Sequence, residues 1–434
     1  MERLFVCFSL RLRKATLKAK ASENGREHLD FSTFSSSALQ SFAFVNLALV
    51  TETYPPEING VAMTLNRLAT GLVQRGHRVR VFRPRQTGER RRAGDTFLDS
   101  HGVEQWLVRG MPIPLYRSLR MGLPVVPTLR RHWKSAAPDV VHVATEGPLG
   151  LAALSAASRF QLPVTSSFHT NFHQYAGDYG LRAGRGLALR YLRWFHNRTR
   201  LTLVPTDQMR ADLASEGFQR LGVLARGVDA ELFAPNKRSK ALREAWGAGP
   251  DDPVLIYVGR LAAEKNLRLV VQTFLEWQKA FPRTRCVMVG DGPEAESVRA
   301  KYPQFHYAGT QRGEALAEHY ASADVFVFPS TTETFGNVIT EAMASGLVVL
   351  SFDYAAARQY IVSGKNGYTA PLGDGAAFAE RALQMMRSPL DWADVRAAAR
   401  ATALTITWDA IIARFESELA KACGLADSVA NAVR

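Results

Sequence analysis

The sequence TTETFGNVITE, residues 331–341, directly follows the apolar run VFVFP at residues 325–329. The apolar run predicts a buried strand, and the residues after it predict a loop, a glycine turn and the start of a helix. Glu333 and Glu341 lie eight positions apart and can bind hydroxyl groups at opposite ends of a long ligand. Gly336 lets the backbone approach that ligand, and N–H groups at a helix start can face phosphate oxygens. The stretch therefore predicts a strand–loop–helix unit that binds a polar, phosphorylated ligand.

The same pattern runs through the rest of the chain. Short apolar or β-branched runs alternate with amphipathic helical stretches, which favours parallel βα units over a β-sandwich. In the first half the predicted strands are 44–50, 79–82, 140–143, 164–168 and 201–204, with helices at 63–75, 148–160 and 185–197. In the second half the predicted strands are 254–258, 286–289, 325–328 and 348–351, with helices at 266–280, 314–322, 338–345 and 376–387. The predicted fold class is α/β, with two Rossmann-like domains that face each other across a cleft.

Domain limits follow from the length and from one break in the pattern. A chain of 434 residues suits two domains of about 150–200 residues each. Residues 226–240 contain an Ala-Pro-Asn break and few apolar side chains, which predicts a linker. We expect a poorly ordered extension at 1–43, a first domain at 44–225, a second domain at 241–404, and a C-terminal helix within 405–434 that returns to the first domain. Ligands of open α/β sheets bind beyond the carboxyl ends of the strands, so the site is expected between the domains.

Composition narrows the class of protein. The three cysteines are widely spaced, which argues against a disulfide framework or a cysteine-based zinc site and fits a reducing cytoplasm. No run approaches the ~18 uncharged apolar residues that a membrane-spanning helix needs. The sequence contains no Asp-x-Asp pair and no His/Cys cluster with metal-ligand spacing, so we predict no metal site.

Charge is divided unequally. Residues 1–225 hold 31 Lys and Arg against 16 Asp and Glu, a balance of +15, whereas residues 226–434 hold 23 against 24, a balance of −1. This asymmetry implies an anionic partner for the first half, either a phospholipid surface or nucleic acid, and a solvated basic surface without a partner is the alternative. We favour a membrane and predict no nucleic-acid partner, because aromatic-interleaved basic platforms are missing. The predicted membrane contact is Arg117–Lys134, with an interdomain-facing helix as the alternative; its apolar residues are Leu115, Tyr116, Leu119, Leu123, Val125, Val126 and Trp133.

Two cations lie at the end of the first strand of the second half. The sequence VGRLAAEKN at residues 258–266 places Arg260 and Lys265 five positions apart, just ahead of a predicted helix. Lysine is poorly placed at the positive end of a helix unless an anion is near. Preorganised cations also stabilise a leaving diphosphate without protonating it. The pair therefore predicts a diphosphate site.

Three further loops follow predicted strands of the first half. The sequence TETYPPEINGV at residues 51–61 is a proline-stiffened loop in which Gly60 lets the backbone approach a ligand. In SSFHTNF, residues 166–172, His169 lies at a strand end facing the cleft, although a lone histidine is more often structural. Beside the helix entry GPLG at residues 147–150, Glu146 can bind an acceptor hydroxyl or cap the helix, and the sequence does not decide between these.

The sequence GDGPEA at residues 290–295 fits the pattern G-x-G-x-x-A of dinucleotide-binding loops. We reject that function, because the proline stiffens the turn and the strand before it is the second of its domain. A simple βα turn is the better interpretation.

Together these motifs resemble the GT-B glycosyltransferases of family 4, over residues 45–425. The spacing of Glu333 and Glu341 resembles the E-x7-E signature of retaining members. The loops are most similar to those of bacterial members that act on lipid acceptors, including GDP-mannose-dependent α-mannosyltransferases and the enzymes that make glycoglycerolipids. The loop before Gly60 departs from the family form, which has two glycines, because Asn59 replaces the first.

The resemblance implies a retaining transfer of a hexosyl group, mannose favoured, from GDP-mannose or a UDP-sugar to a lipid or glycan hydroxyl, without a metal or other cofactor. The first domain would bind the acceptor and the second the nucleotide-sugar, on the inner face of the cell membrane. No carboxylate nucleophile is evident, which favours front-face displacement with a donor phosphate oxygen accepting the proton. The resemblance implies that Arg260 and Lys265 bind the diphosphate and that Glu333 binds hydroxyls of the transferred sugar. Backbone N–H groups of Gly336, Asn337 and Val338 would lie nearby. Glu341 would bind the ribose hydroxyls, and His169 would lie beside the reacting sugar.

Three other functions stay open at this point. They are a UDP-glucose- or UDP-galactose-dependent glycolipid synthase, a nucleotide-sugar 2-epimerase of GT-B architecture, and a basic nucleic-acid-binding protein.

Overall fold

The computed structural model describes residues 44–57, 59–113, 116–169, 182–387 and 392–425. The extension predicted at 1–43 lies outside them. The strands are β1 (Asn46–Val50), β2 (Arg78–Pro84), β3 (Thr96–Leu98), β4 (Glu104–Val108), β5 (Gly110–Ile113), β6 (Tyr116–Gly122), β7 (Val140–Val143), β8 (Val164–Ser167), β9 (Leu201–Val204), β10 (Leu221–Val223), β11 (Val254–Val258), β12 (Arg285–Val289), β13 (His306–Gly309), β14 (Val325–Phe328), β15 (Val348–Phe352) and β16 (Tyr368–Ala370).

Helices follow most of the strands. They are α1 (Gly60–Gln74), α2 (Val126–Ser135), α3 (Pro148–Arg159), α4 (Arg182–His196), α5 (Asp207–Ser215), α6 (Lys240–Ala245), α7 (Leu267–Ala280), α8 (Ala295–Lys301), α9 (Gly313–Ser322), α10 (Asn337–Ala344), α11 (Ala355–Tyr360), α12 (Gly375–Arg387), α13 (Trp392–Ala403) and α14 (Trp408–Ala422). Short 3₁₀ helices span Pro235–Lys237 and Ala263–Lys265.

Two sheets confirm the predicted α/β class. The first has the strand order β10-β9-β8-β7-β1-β2-β4-β3, parallel throughout except for β3 against β4. The second is fully parallel in the order β13-β12-β11-β14-β15-β16. In each sheet the first strand of the domain, β1 or β11, lies in the interior, so the loops that leave these strands are central. Each sheet forms one Rossmann-like domain.

The first domain also contains strands that the sequence analysis missed. Strands β3 and β4 extend one edge, and β5 pairs with β6 in a separate antiparallel hairpin. The hairpin sequence GMPIPLYRSLRMG at 110–122 mixes prolines and arginines with apolar residues, so strand alternation is weak. The predicted membrane-contact segment is therefore divided between strand β6 and helix α2.

Helix α14 packs on α1, so the last and the first of the helices in the described ranges lie together. Ile412, Phe415 and Leu419 are buried in the same cluster as Leu65 and Leu68. A Cβ on Gly71 would lie 2.2 Å from Ile412 Cδ1, so this glycine permits the close approach of the two helices. The limits predicted for the domains and the linker stay predictions.

Candidate active site

Glu333, in the loop between β14 and α10, pairs with Lys265, which ends the 3₁₀ helix after β11. Lys265 Nζ lies 2.5 Å from Glu333 Oε1, and the Ser330 hydroxyl donates to the same oxygen at 2.8 Å. The two charged side chains are 17% and 18% exposed, so their ion pair is largely shielded from water. The structure thus brings together two residues that the sequence analysis assigned to different groups of the ligand. The pair holds a cation and a carboxylate at one point of the site.

Arg260 occupies a more open position. Its side chain is 61% exposed and lies 3.5 Å from the Glu264 carboxylate. The loop beneath it is fixed, because the Tyr257 hydroxyl donates to the Arg260 carbonyl at 2.9 Å. A Cβ on Gly292 would lie 2.3 Å from the Leu261 carbonyl oxygen. The glycines of the sequence at 290–295 therefore pack against the loop of Arg260, which explains them without a dinucleotide.

The start of α10 carries backbone N–H groups directly after the loop that contains Glu333. Gly336 has φ +89°, a conformation that a side chain disfavours, and this turn directs the chain into the helix. Asn337 and Val338 are the first two residues of α10, where N–H groups have no partner inside the helix. Asn337 Oδ1 is also buried without a hydrogen-bond partner. The turn leaves several polar groups available to a ligand.

Glu341 lies one turn further along α10 and faces α9. The Tyr320 hydroxyl donates to Glu341 Oε2 at 3.1 Å. Burial raises the pKa of Glu341 to about 7, and the hydrogen bond from Tyr320 lowers it by less. The carboxyl group is therefore partly protonated at neutral pH.

The loop after β1 is shaped by Asn59. Its side-chain oxygen accepts from the N–H groups of Val61 and Ala62, so Asn59 is the N-cap of α1. This gives a physical reason for its presence where the family form has glycine. Gly60 begins the helix, and a Cβ there would lie 3.2 Å from Arg226 Nη1. The loop of the first domain thus meets the connection to the second.

His169 follows β8 at the carboxyl edge of the first sheet. Both of its ring nitrogens are buried and have no hydrogen-bond partner among the described residues. Burial and the nearby positive charge of Arg226 hold the pKa of His169 well below its usual value. The imidazole is therefore neutral, with its polar atoms available to a ligand.

Glu146 lies at the entry to α3 beside a second carboxylate that the sequence analysis did not single out. Glu52 accepts hydrogen bonds from the N–H groups of Gly122 and Leu149, and thereby joins the β5–β6 hairpin to the first turn of α3. Burial raises the pKa of Glu52 to about 7, and the charge of Glu146 contributes to this rise. The hydroxyl of Tyr191 donates to the Glu146 carbonyl at 2.6 Å.

Arg226 is the residue that the sequence analysis overlooked, because it begins the stretch interpreted as a linker. The Glu333 carboxylate stabilises its charge, and Arg226 in turn lowers the pKa of His169. Arg226 therefore links His169 of the first domain electrostatically to Glu333 of the second. One sequence signal could have indicated Arg226 as a site residue. Arg226-Gly227 is a cation followed by glycine, shortly after strand β10.

Two features are absent from the described ranges. No group of three or more His, Cys, Asp or Glu side chains there could hold a metal ion. None of the helices in those ranges is long and apolar enough to span a bilayer.

Comparison with known proteins gives the class. Residues 58–232 match the family described as Glycosyltransferase Family 4, and residues 252–388 match the Glycosyl transferases group 1. Among solved structures, sucrose-phosphate synthase from Thermosynechococcus elongatus shares the fold, with a TM-score of 0.71 at 18% identity over 87% of this chain and 98% of that chain. Two Rossmann-like domains with ligand loops at their sheet ends define a GT-B glycosyltransferase.

Similar proteins of known activity identify the family within this class. A GDP-mannose-dependent alpha-mannosyltransferase of Mycobacterium tuberculosis is 34% identical over 76% of this chain and 85% of that protein. An alpha-monoglucosyldiacylglycerol synthase of Acholeplasma laidlawii is 26% identical over 74% of this chain and 84% of that protein. The chain belongs to the glycosyltransferases of family 4. It is a hexosyltransferase that uses a nucleotide-sugar donor, which confirms the predicted reaction class.

Proposed function

We propose that this enzyme transfers mannose, with retention of configuration, from GDP-mannose to a hydroxyl group of a lipid-linked acceptor. The observation that carries the proposal is the shielded Lys265–Glu333 pair at 2.5 Å, in a chain 34% identical to a GDP-mannose-dependent alpha-mannosyltransferase. A cation and a carboxylate at one point suit the junction of a sugar and its diphosphate, where phosphate oxygens and sugar hydroxyls lie side by side.

Each predicted residue takes a role in this proposal. Lys265 has three donor positions, so it can keep Glu333 as a partner while it donates to a phosphate oxygen. Glu333 then accepts from sugar hydroxyls, and Arg260 adds a second cation from the solvent side. The remaining roles are N–H donation to the donor by Gly336, Asn337 and Val338, ribose binding by Glu341, backbone approach at Gly60, sugar contact by His169 and acceptor binding by Glu146.

The reaction we propose is a front-face displacement. The bond between the anomeric carbon and the diphosphate oxygen breaks while the acceptor oxygen bonds to the same face of that carbon. The acceptor proton passes to a phosphate oxygen of the leaving group. Lys265 and Arg260 stabilise the charge that develops on the diphosphate. The His169 ring is neutral, and its nitrogens have no hydrogen-bond partner in the part of the chain that the structure describes, so it can bind a sugar hydroxyl without adding charge.

The acceptor is proposed to reach the first domain from an anionic membrane on the cytoplasmic side. Residues 44–225 alone hold 24 Lys and Arg against 12 Asp and Glu. Trp133 is wrong as a membrane contact, because it is 1% exposed and packs edge-on against Phe82 in the core. A groove between α2, α3 and α4 is better suited, since Arg130, Arg159, Arg198 and the 41% exposed Trp194 line it and none of its described lining residues is acidic.

One assay tests the donor, the acceptor and the need for a metal. Purified enzyme is incubated with GDP-mannose or UDP-glucose and vesicles that contain diacylglycerol, and acceptor-dependent release of nucleotide is measured. We expect release from GDP-mannose, unchanged by EDTA, with an α-linked product by NMR. Release from UDP-glucose alone would instead support a glucolipid synthase, and a β-linked product would refute retention. Full loss of activity with EDTA, restored by Mg²⁺ or Mn²⁺, would refute metal independence.

A further inference from the structure

Arg226 is a buried cation that has no counterion within ion-pair distance among the described residues. The residue is 7% exposed, and its Nε has no hydrogen-bond partner. No ion pair joins it to any residue in the described ranges. Burying an unpaired charge costs several kcal/mol in a folded protein, so an arginine in this position is expected to have a ligand.

The neighbours of Arg226 are the loops that surround the proposed donor. Its Nη1 lies 3.2 Å from the position that a Cβ on Gly60 would occupy. Its guanidinium carbon is 5.9 Å from the centre of the Phe335 ring, in the same loop as Glu333. Glu333 supplies long-range stabilisation only, because its Oε1 is already bound by Lys265 and Ser330. A ring at this distance is a weak partner for a buried cation.

The backbone around Arg226 is held in place from three sides. A Cβ on Gly227 would lie 2.6 Å from the Trp408 nitrogen, so the chain passes tightly against the start of α14. Val228 donates to the Ile406 carbonyl at 2.8 Å. Asp229 forms an ion pair with Arg67 of α1 at 2.9 Å. These contacts fix the backbone from which the Arg226 side chain extends toward Gly60 and the Phe335 ring.

We propose that Arg226 binds the diphosphate of the nucleotide-sugar, as a third cation supplied by the connection between the domains. This inference rests on the proposed function. A guanidinium binds phosphate through two parallel N–H donors, which a lysine cannot do. Arg226 reaches the diphosphate from the side of Gly60, whereas Lys265 and Arg260 reach it from the second domain. The leaving diphosphate is therefore enclosed by charges from both sides.

The test is a thermal-shift titration of the full chain with GDP, GMP and guanosine, and with UDP, UMP and uridine. Wild-type protein should bind one diphosphate more tightly than its monophosphate. Arg226→Met should lose at least tenfold in affinity for that diphosphate, keep its affinity for the nucleoside, and unfold at or above the wild-type temperature without ligand. Arg226→Lys should fall between the two.

Arg400→Met is the matched control. Arg400 is a structural arginine whose guanidinium donates to the carbonyls of Phe233, Ala344 and Ala230. This variant should unfold at a lower temperature and keep the wild-type preference for diphosphate. Arg210→Met, on the exposed face of α5, serves the same purpose if Arg400→Met does not fold.

Three outcomes overturn the inference. An unchanged diphosphate preference in Arg226→Met refutes it and leaves the proposed function standing. Lower stability of that variant with unchanged preference makes Arg226 structural. If Arg226→Met does not fold, Arg226→Lys replaces it in the test. A wild-type preference for the diphosphate in Arg226→Lys then refutes the inference. Failure of wild-type protein to bind any of these nucleotides refutes the proposed function itself.

Discussion

The two domains share one architecture but differ in what fills their interiors. In the second domain, the described buried apolar residues form one continuous cluster around the parallel sheet. In the first domain they fall into three clusters. Polar side chains lie within its sheet, and His142 hydrogen-bonds to Thr165 and Ser167 at 2.8 and 2.9 Å. The second domain is therefore an apolar scaffold that presents polar loops, while the first domain also places polar groups inside its sheet.

The histidines of the first domain illustrate the cost of such an interior. Burial lowers the pKa of both His142 and His196 to about 3, so both rings are neutral at physiological pH. Ser166 hydrogen-bonds to His196 Nδ1 at 2.9 Å, which leaves that ring with one satisfied nitrogen. Buried polar groups need specific hydrogen-bond partners, whereas buried apolar groups need only close packing.

The largest effect is expected in the donor loops. Glu333→Ala and Lys265→Ala should each lower turnover by at least tenfold with the fold intact, since a charge-assisted contact in a shielded site contributes about 1.5–3 kcal/mol. Steady-state kinetics with far-UV circular dichroism measures both. The double variant should raise the activation free energy by less than the sum of the rises in the two single variants, because the two residues bind each other.

The control for these variants is the exposed Lys240–Glu244 pair of α6, in the same domain, with side chains 86% and 64% exposed. Its alanine variants should behave as wild type. Wild-type turnover in folded Glu333→Ala or Lys265→Ala would remove these residues from the site.

Tight packing in the second domain can be tested by adding one methyl group. Gly292→Ala should destabilise the protein by about 1–3 kcal/mol, because the new Cβ would lie 2.3 Å from the Leu261 carbonyl oxygen. Gly186→Ala in α4 of the first domain meets no atom within 4 Å and should stabilise by roughly 0.5–1 kcal/mol. Urea denaturation gives both values. Equal stability of the two variants would contradict the contrast in packing.

Each domain also contains one carboxyl group whose pKa is raised to about 7, Glu52 in the first and Glu341 in the second. The folded protein holds these protons where the unfolded chain has lost them, so the stabilisation is full below the ordinary glutamate pKa of 4.5 and is lost as pH rises to about 7. Glu52→Gln and Glu341→Gln should each flatten this decline by on the order of 1 kcal/mol.

Denaturation at pH 5, 6, 7 and 8 checks the pH dependence. A variant with the wild-type slope would show that its carboxyl group is solvated in the folded protein. If only one variant shows a weaker dependence of the unfolding free energy on pH, the carboxyl group of that domain causes the decline in stability.

The smallest effect concerns the surface charge. Wild-type protein should float with anionic vesicles and not with neutral ones, and binding should weaken with salt because exposed charges are screened. Replacing Arg130 and Arg159 with Glu should reduce binding about tenfold or more, at roughly 1 kcal/mol per basic residue near the surface. Lys301→Glu with Arg387→Glu, on the second domain, is the control and should have no effect. Equal flotation with neutral vesicles would contradict an electrostatic contact.

Much of the second domain could be predicted from its sequence. The predicted strands 254–258 and 325–328 are confirmed at both ends by β11 and β14, because continuous apolar runs of this length have one structural solution. In the first domain, β7 and β9 were found in the same way. Strands β3 to β6 were missed, since their residues carry no clear alternation.

The contacts that assemble the site could not be predicted in this way. Lys265 and Glu333 are 68 residues apart, and nothing in either segment indicates that they pair. Arg226 was hidden because low apolar content predicts a linker, whereas in the structure the surrounding elements bury the residue. Asn59 was treated as a departure from a family form, although capping is a common reason for Asn before a helix.

Helix α14 has a consequence for synthesis on the ribosome. Ile412, Phe415 and Leu419 complete a cluster whose other members include β1 and α1, near the opposite end of the chain. A nascent chain that has emerged only as far as the second sheet therefore carries a first domain with an exposed apolar face. That face is covered only after the last helix leaves the exit tunnel, so the half that is translated first finishes folding last.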